Sequence, residues 1–137
     1  WLRNDARVQW PTNLWVGTSV TSQANVKRIR DLLKVGNEHT TRFVSLEPQW
    51  ESVQMGDLLQ QINWLIQGGE AGTVKHPFDV AWAEQVRKEC QAADVAYFLK
   101  QLGMRPVEQG SRLELKSKKG VDWTEWPEQL RVREVPS

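Results

Sequence analysis

Glu47, Glu70 and Lys100 each stand at or just beyond the end of a short apolar run, and Thr18 and Ser19 close a fourth. Two carboxylates with a cation between them can orient a zwitterionic ligand, or can simply neutralise one another. Glu47 is followed by Pro48, and a carboxylate held in that way can bind an amine or hydroxyl or act as a base. Its alternative role is a cap or an ion pair with Arg42 or a nearby lysine. Thr18 and Ser19 offer hydroxyls to a ribose or phosphate, or else satisfy loose backbone donors ahead of a helix. The turn Gly68-Gly69-Glu70-Ala71-Gly72 can bring backbone N–H groups close to an anion or an adenine edge, or can serve as a tight turn. It matches neither the Walker nor the dinucleotide pattern.

Other reactive side chains are sparse. His39 and His76 fall in loop-like stretches, with no second histidine or cysteine at metal-ligand spacing, and read as surface histidines. Cys90 lies on the apolar face of an expected helix and reads as a small core residue, not a nucleophile.

The elements that must position these groups are the runs themselves: Leu14–Ser19, Phe43–Pro48, Trp64–Glu70 and Tyr97–Gln101. Unbroken apolar runs rich in β-branched or aromatic residues suggest parallel strands buried on both faces. The runs begin roughly 20 to 35 residues apart, close to the roughly 31 residues per unit of an eight-fold barrel. Between them, Thr21 or Ser22 can cap a helix reaching about Val35, where Gly36-Asn37 stops it. Asp57 can cap a short piece with Leu58, Leu59 and Ile62 inward. Asp79 can cap a clear helix to about Ala93, with Trp82, Ala83, Val86, Cys90 and Ala93 on one face. Residues 1–12 read as the remainder of a preceding helix and its loop.

The expected fold class is therefore α/β: a partial (half) β/α barrel of about four parallel β/α units, with residues 1–104 forming the barrel part. Residues 105–137 form a small β-rich appendage packed on it. There Leu113 and Leu115 alternate with charged residues, Lys119-Gly120 offers a turn, and Leu130–Arg133 alternates again. Its seven basic residues against six acidic ones make Lys116, Lys118 and Lys119 a solvated turn.

Composition narrows the function classes. A net charge of +1 over 137 residues argues against a nucleic-acid surface built on bulk charge. No apolar stretch approaches the roughly 20 residues that cross a bilayer, so no membrane role is expected. One cysteine excludes an internal disulfide framework, and a reducing cytoplasm is the expected setting. Tryptophan is the outlier, with eight residues that call for core or partner packing more than for ligand stacking.

Several strings are specific in combination: Asn13–Val20, Arg42–Pro48, Trp64–Glu70, Tyr97–Gly103 and Trp126–Glu134. Together they resemble the C-terminal half of an uncharacterised family of phage and prophage proteins with a three-cysteine motif, itself similar to radical S-adenosylmethionine enzymes. The resemblance covers about Trp10 to Pro136. It implies a barrel whose cysteine loop, absent here, holds a 4Fe–4S cluster in a full-length protein. It further implies that this chain carries the S-adenosylmethionine and substrate side. Thr18, Ser19, Glu47, Gly68, Gly69 and Glu70 are the cofactor-binding candidates, and Glu47 and Lys100 the catalytic ones.

A half-barrel exposes two strand edges and apolar faces. Such a chain is expected to be inactive alone, forming a homo-oligomer or docking to an N-terminal barrel half. The alternative is a non-enzymatic binding module for a nucleotide-like ligand or a phage or host protein.

Overall fold

A computed structural model describes residues 9–137. Most of the segment read as the remainder of a helix therefore lies outside the described residues. Four strands, β1 (Trp15–Ser19), β2 (Thr41–Leu46), β3 (Trp64–Gly68) and β5 (Ala96–Gln101), lie side by side in chain order and run parallel. Their C-terminal ends therefore share one side of the sheet. A second, small sheet joins β4 (Phe78–Asp79), β6 (Pro106–Glu108) and β7 (Ser111–Arg112).

The expectation that both faces of the main sheet are covered is corrected. Burial alternates along β2, β3 and β5. Val44, Leu46, Leu65, Tyr97 and Leu99 are buried on one face. Trp15, Phe43, Trp64, Ile66 and Phe98 point to the other, which is only partly covered. The period of two was hidden because the open face is also apolar, built of aromatic rings where a solvated face would carry polar side chains.

The covered face packs against helices whose form departs in part from the sequence reading. In place of one helix from Thr21 there is a 3₁₀ turn, Gln23–Asn25, followed by the short α1, Arg28–Leu32. The Asn25 side chain accepts the backbone N–H groups of Thr21 and Ser22 at 3.0 and 3.2 Å. With Ser22 as N-cap this is a capping box, which satisfies donors that have no partner within a helix. Gly36, at φ +85°, ends the segment as expected. Residues Gly56–Gln61 form a 3₁₀ helix with Asp57 inside it and no side-chain cap at Met55. Helix α2, Val80–Ala93, follows the reading closely: Asp79 Oδ1 accepts the Ala81 N–H at 2.9 Å, and Val80, Ala83, Val86 and Cys90 are buried. Among the described residues no helix is long and apolar enough to cross a membrane.

Residues 105–137 wrap the β5 side. β6 and β7 form a hairpin turning at Gln109 and Gly110, both with positive φ. The chain then runs irregularly through Leu113–Lys119. Trp126 is 2% exposed and its indole N–H donates to Gly120 O at 2.9 Å. Beyond it, Val132–Glu134 lies antiparallel against β5: Leu99 N donates to Val132 O at 3.0 Å, and Glu134 N to Tyr97 O at 2.8 Å. One of the two exposed edges expected of a half-barrel is thus covered by the chain itself. Among the described residues β1 pairs only with β2.

Candidate functional site

The open face is layered by register. Trp15 lies beside Thr41, then Gly17 beside Phe43, Trp64 and Ala96, then Ser19 beside Ser45, Ile66 and Phe98. Its aromatic rings meet edge to face or tilted: Trp64 lies 5.9 Å from Trp15, 6.1 Å from Phe43 and 6.0 Å from Phe98. Glycine at position 17 lets the Phe43 ring lie close over β1, since a Cβ there would run into three ring atoms and push the ring aside. A cleft of about 410 Å³ opens above these rings, with Ser45, Glu47, Lys100 and Arg133 also on its wall.

The polar groups gather at the strand ends. Lys100 Nζ reaches Glu47 Oε2 at 3.3 Å, with Lys100 exposed and Glu47 mostly covered. The Gln101 side-chain amide donates to Glu47 Oε1 at 3.1 Å and to Gly69 O at 2.8 Å. Glu47 therefore has each oxygen engaged, one by a neutral amide and one by an ammonium. A Cβ on Gly68 would press on Gln101 Nε2, at 2.8 Å, and on Glu47 Cγ, at 3.0 Å, so glycine permits this convergence.

Other candidates are arranged differently. Ser19 is exposed at the end of β1, and its carbonyl accepts from Arg28 Nη1 at 3.2 Å. Thr18 is half-buried. The Glu70 carboxylate turns to its own loop, accepting the Thr73 hydroxyl at 2.6 Å and lying 3.1 Å from His76 Nδ1. Its pKa is held below the ordinary carboxylate value, first by the Thr73 hydroxyl; burial opposes this and the His76 donors add to it. Glu47 and Lys100 thus form one cluster, and Glu70 with His76 another. Arg42, the other partner considered for Glu47, donates to Val35 O at 2.7 Å and Asn37 O at 3.3 Å on the covered side.

A larger cavity, about 530 Å³, lies at the far end of the sheet among Asn63, Arg87, Gln91, Asp94 and Glu134. Ligands of open α/β sheets sit outside the carboxyl ends of strands, which favours the smaller cleft. Cys90 is buried in the core, and burial pushes its thiol up to about 12. Among the described residues no group of three or more histidine, cysteine, aspartate or glutamate side chains is placed to hold a metal ion.

A family described as "Protein of unknown function (DUF5131)" matches residues 2–127. The chain belongs to this family. No curated protein and no solved structure matches it.

In this member of DUF5131 three site features had no sequence signal. Gln101 reads only as the polar end of a run. Arg133 sits in an alternating tail, yet its guanidinium lies over the Phe98, Trp123 and Trp126 rings at 5.3 to 5.6 Å and donates to Leu99 O and Lys100 O. Trp50 stacks on His76 at 4.8 Å. Each has at least one partner 26 or more residues away.

Proposed function

We propose that the chain is the cofactor- and substrate-side half of a radical S-adenosylmethionine-like phage or prophage protein, completed by a half that carries the cysteines. The single observation that carries this reading is the graded open face: an aromatic floor rising to a lip where Glu47, Lys100 and Gln101 converge. A barrel's inner surface, exposed when the barrel is halved, has this orientation, with its chemistry at the C-terminal ends of the strands.

The residues present do not fit an iron–sulfur cluster. The one thiol is buried in the core, and its raised pKa opposes the thiolate that cluster ligation needs. No step is assigned to a cluster on this chain. They do suit S-adenosylmethionine in donor chemistry. Glu47 is a carboxylate for an ammonium, Lys100 a cation for a carboxylate, and the floor rings a surface for a flat base. The Ser19 hydroxyl is the remaining contact we assign; Thr18 lies beside Val44 on the covered face, and the Gly68, Gly69 and Glu70 carbonyls are already held by Gln49, Gln101 and Met104. When bound, S-adenosylmethionine supplies a sulfonium whose cleavage needs an electron from outside this chain. Here the protein's part is to hold the two charged ends and to keep the flat ring off water.

Isothermal titration calorimetry with S-adenosylmethionine, in the absence of iron, tests the reading. Measurable affinity that weakens in Glu47→Gln supports it; no binding heat from the folded chain refutes it. Among the described residues the outer edge of β1 is unpaired; such an edge calls for a partner, and gel filtration reports one. A monomer at every concentration, alone and with a cysteine-bearing half, counts against the half-barrel. The second reading, a non-enzymatic binding module, draws on Trp15 and Trp123, which are 49% and 42% exposed. Recovery of a protein partner together with absent cofactor binding would favour it.

A further inference from the structure

The loop after β3 is organised around a single carboxylate. Glu70 Oε2 accepts the Thr73 hydroxyl at 2.6 Å and the His76 backbone N–H at 3.3 Å, and His76 Nδ1 lies 3.1 Å away. A ring nitrogen beside an ionised carboxylate carries the proton, so the lone pair is left on Nε2. Among the described residues nothing hydrogen-bonds Nε2, and the imidazole keeps 30% of its side-chain surface exposed. Trp50 backs the ring at 4.8 Å, nearly parallel at 22°. Its own backbone is pinned by donation to Thr21 O at 3.0 Å. Base, orienting carboxylate and aromatic backing thus come from loops that follow β2 and β3, on the side of the sheet where Glu47 and Lys100 stand. The other histidine offers a contrast: His39 is 58% exposed, its Nε2 lies 3.6 Å from Glu38, beyond hydrogen-bond distance, and among the described residues no aromatic ring stacks on it.

We propose that His76, oriented by Glu70 and backed by Trp50, is a general base that takes the proton of a hydroxyl, that of water or of an alcohol substrate, through Nε2. The O–H proton passes to Nε2 and its bonding pair stays on oxygen, which becomes the nucleophile. The imidazolium charge rests against the Glu70 carboxylate, and the proton then leaves to solvent from the exposed ring. This assigns Glu70 a positioning part that the cofactor reading does not contain. The test below can fail while S-adenosylmethionine binding stands.

Two measurements on the whole chain decide the matter. Ring nitrogen-15 NMR above the imidazole titration should show the Nδ1–H tautomer at His76, becoming mixed in Glu70→Gln. With p-nitrophenyl acetate as probe, the activated water adds to the ester carbonyl, and p-nitrophenol and acetate leave. His76→Asn should slow this hydrolysis at least about tenfold, modest beside the hundredfold or more of a general base in a complete site. His39→Asn should leave it unchanged, and the rate should fall in deuterium oxide. An Nε2–H tautomer in the unmodified protein overturns the proposal whether or not the variants fold. So does a His76→Asn rate equal to the parent's, or a rate indifferent to deuterium.

Discussion

Tyr97→Phe removes one oxygen atom from the covered side of the sheet, and the structure sets what that should cost. The Tyr97 hydroxyl donates to Gln67 Oε1 at 2.6 Å, and Gln67 Nε2 donates to Gln49 Oε1 at 2.6 Å and to Trp82 O at 3.3 Å. All three side chains in the chain of bonds are 1% exposed or less. Phenylalanine keeps the ring and opens almost no cavity, so the loss is that of a buried acceptor left without its donor, about 1–3 kcal/mol. For a chain of this length each kcal/mol moves the melting point by about 3–5 °C, so a fall of roughly 3–15 °C is expected. Gln67→Leu should cost more, since it strands both the tyrosine hydroxyl and Gln49. The double variant Tyr97→Phe/Gln67→Leu should cost less than the two losses together, because the hydroxyl and its acceptor disappear at once. Thermal melts followed by circular dichroism, with urea titrations for free energies, measure all three. An unchanged melting point in Tyr97→Phe, or losses that simply add, would refute the reasoning. Gln49 stands two residues after Glu47, so this network also supports the loop that carries the site.

Gly17→Ala should displace the Phe43 ring into the cleft, destabilising by about 1–3 kcal/mol and changing the near-ultraviolet circular dichroism of Trp64. Arg133→Ala removes the cation over three rings and two carbonyl contacts at β5. Because that arginine is solvent-exposed, a loss of only about 1–2 kcal/mol is expected, together with concentration-dependent association on gel filtration as the edge loosens. The Cys90 thiol titrates near 9.0 when unfolded and at about 12 when folded. Above pH 9 the unfolded chain therefore binds fewer protons than the folded one, and stability present below pH 9 is lost as pH rises towards 12. Urea midpoints should fall across that range, and less steeply in Cys90→Ala. Glu70 has the opposite sign: its lowered pKa stabilises above the ordinary carboxylate value and is lost as pH falls through the folded one. Glu70→Gln should flatten the acid limb of the same curve.

How far residue order alone reached depended on the range of the interaction. The strand runs, the Asp79 cap, the buried stripe of α2 and the stop at Gly36 are decided within a few residues, by side-chain period, capping oxygens and left-handed backbone. All of these could be read locally. The helix expected from Thr21 has its cap at Ser22, but only a 3₁₀ turn and the five-residue α1 follow. Sidedness was harder. Phe43, Trp64 and Phe98 are as apolar as Val44, Leu65 and Leu99, so hydrophobicity could not say which set faces the helices and which the cleft. Glu47 and Lys100 were recognisable as strand-end charges, but their pairing spans 53 residues, and nothing near either one announces it. The same holds for the Trp50–His76 stack and for the tail that seals β5. By itself the sequence determined the α/β class, the strand runs and their polar ends, since these follow from patterns a few residues long. Only the tertiary structure decided which face stays open, which edge is closed, and which carboxylate meets lysine and which histidine. Those choices are made by register and packing between segments far apart in the chain.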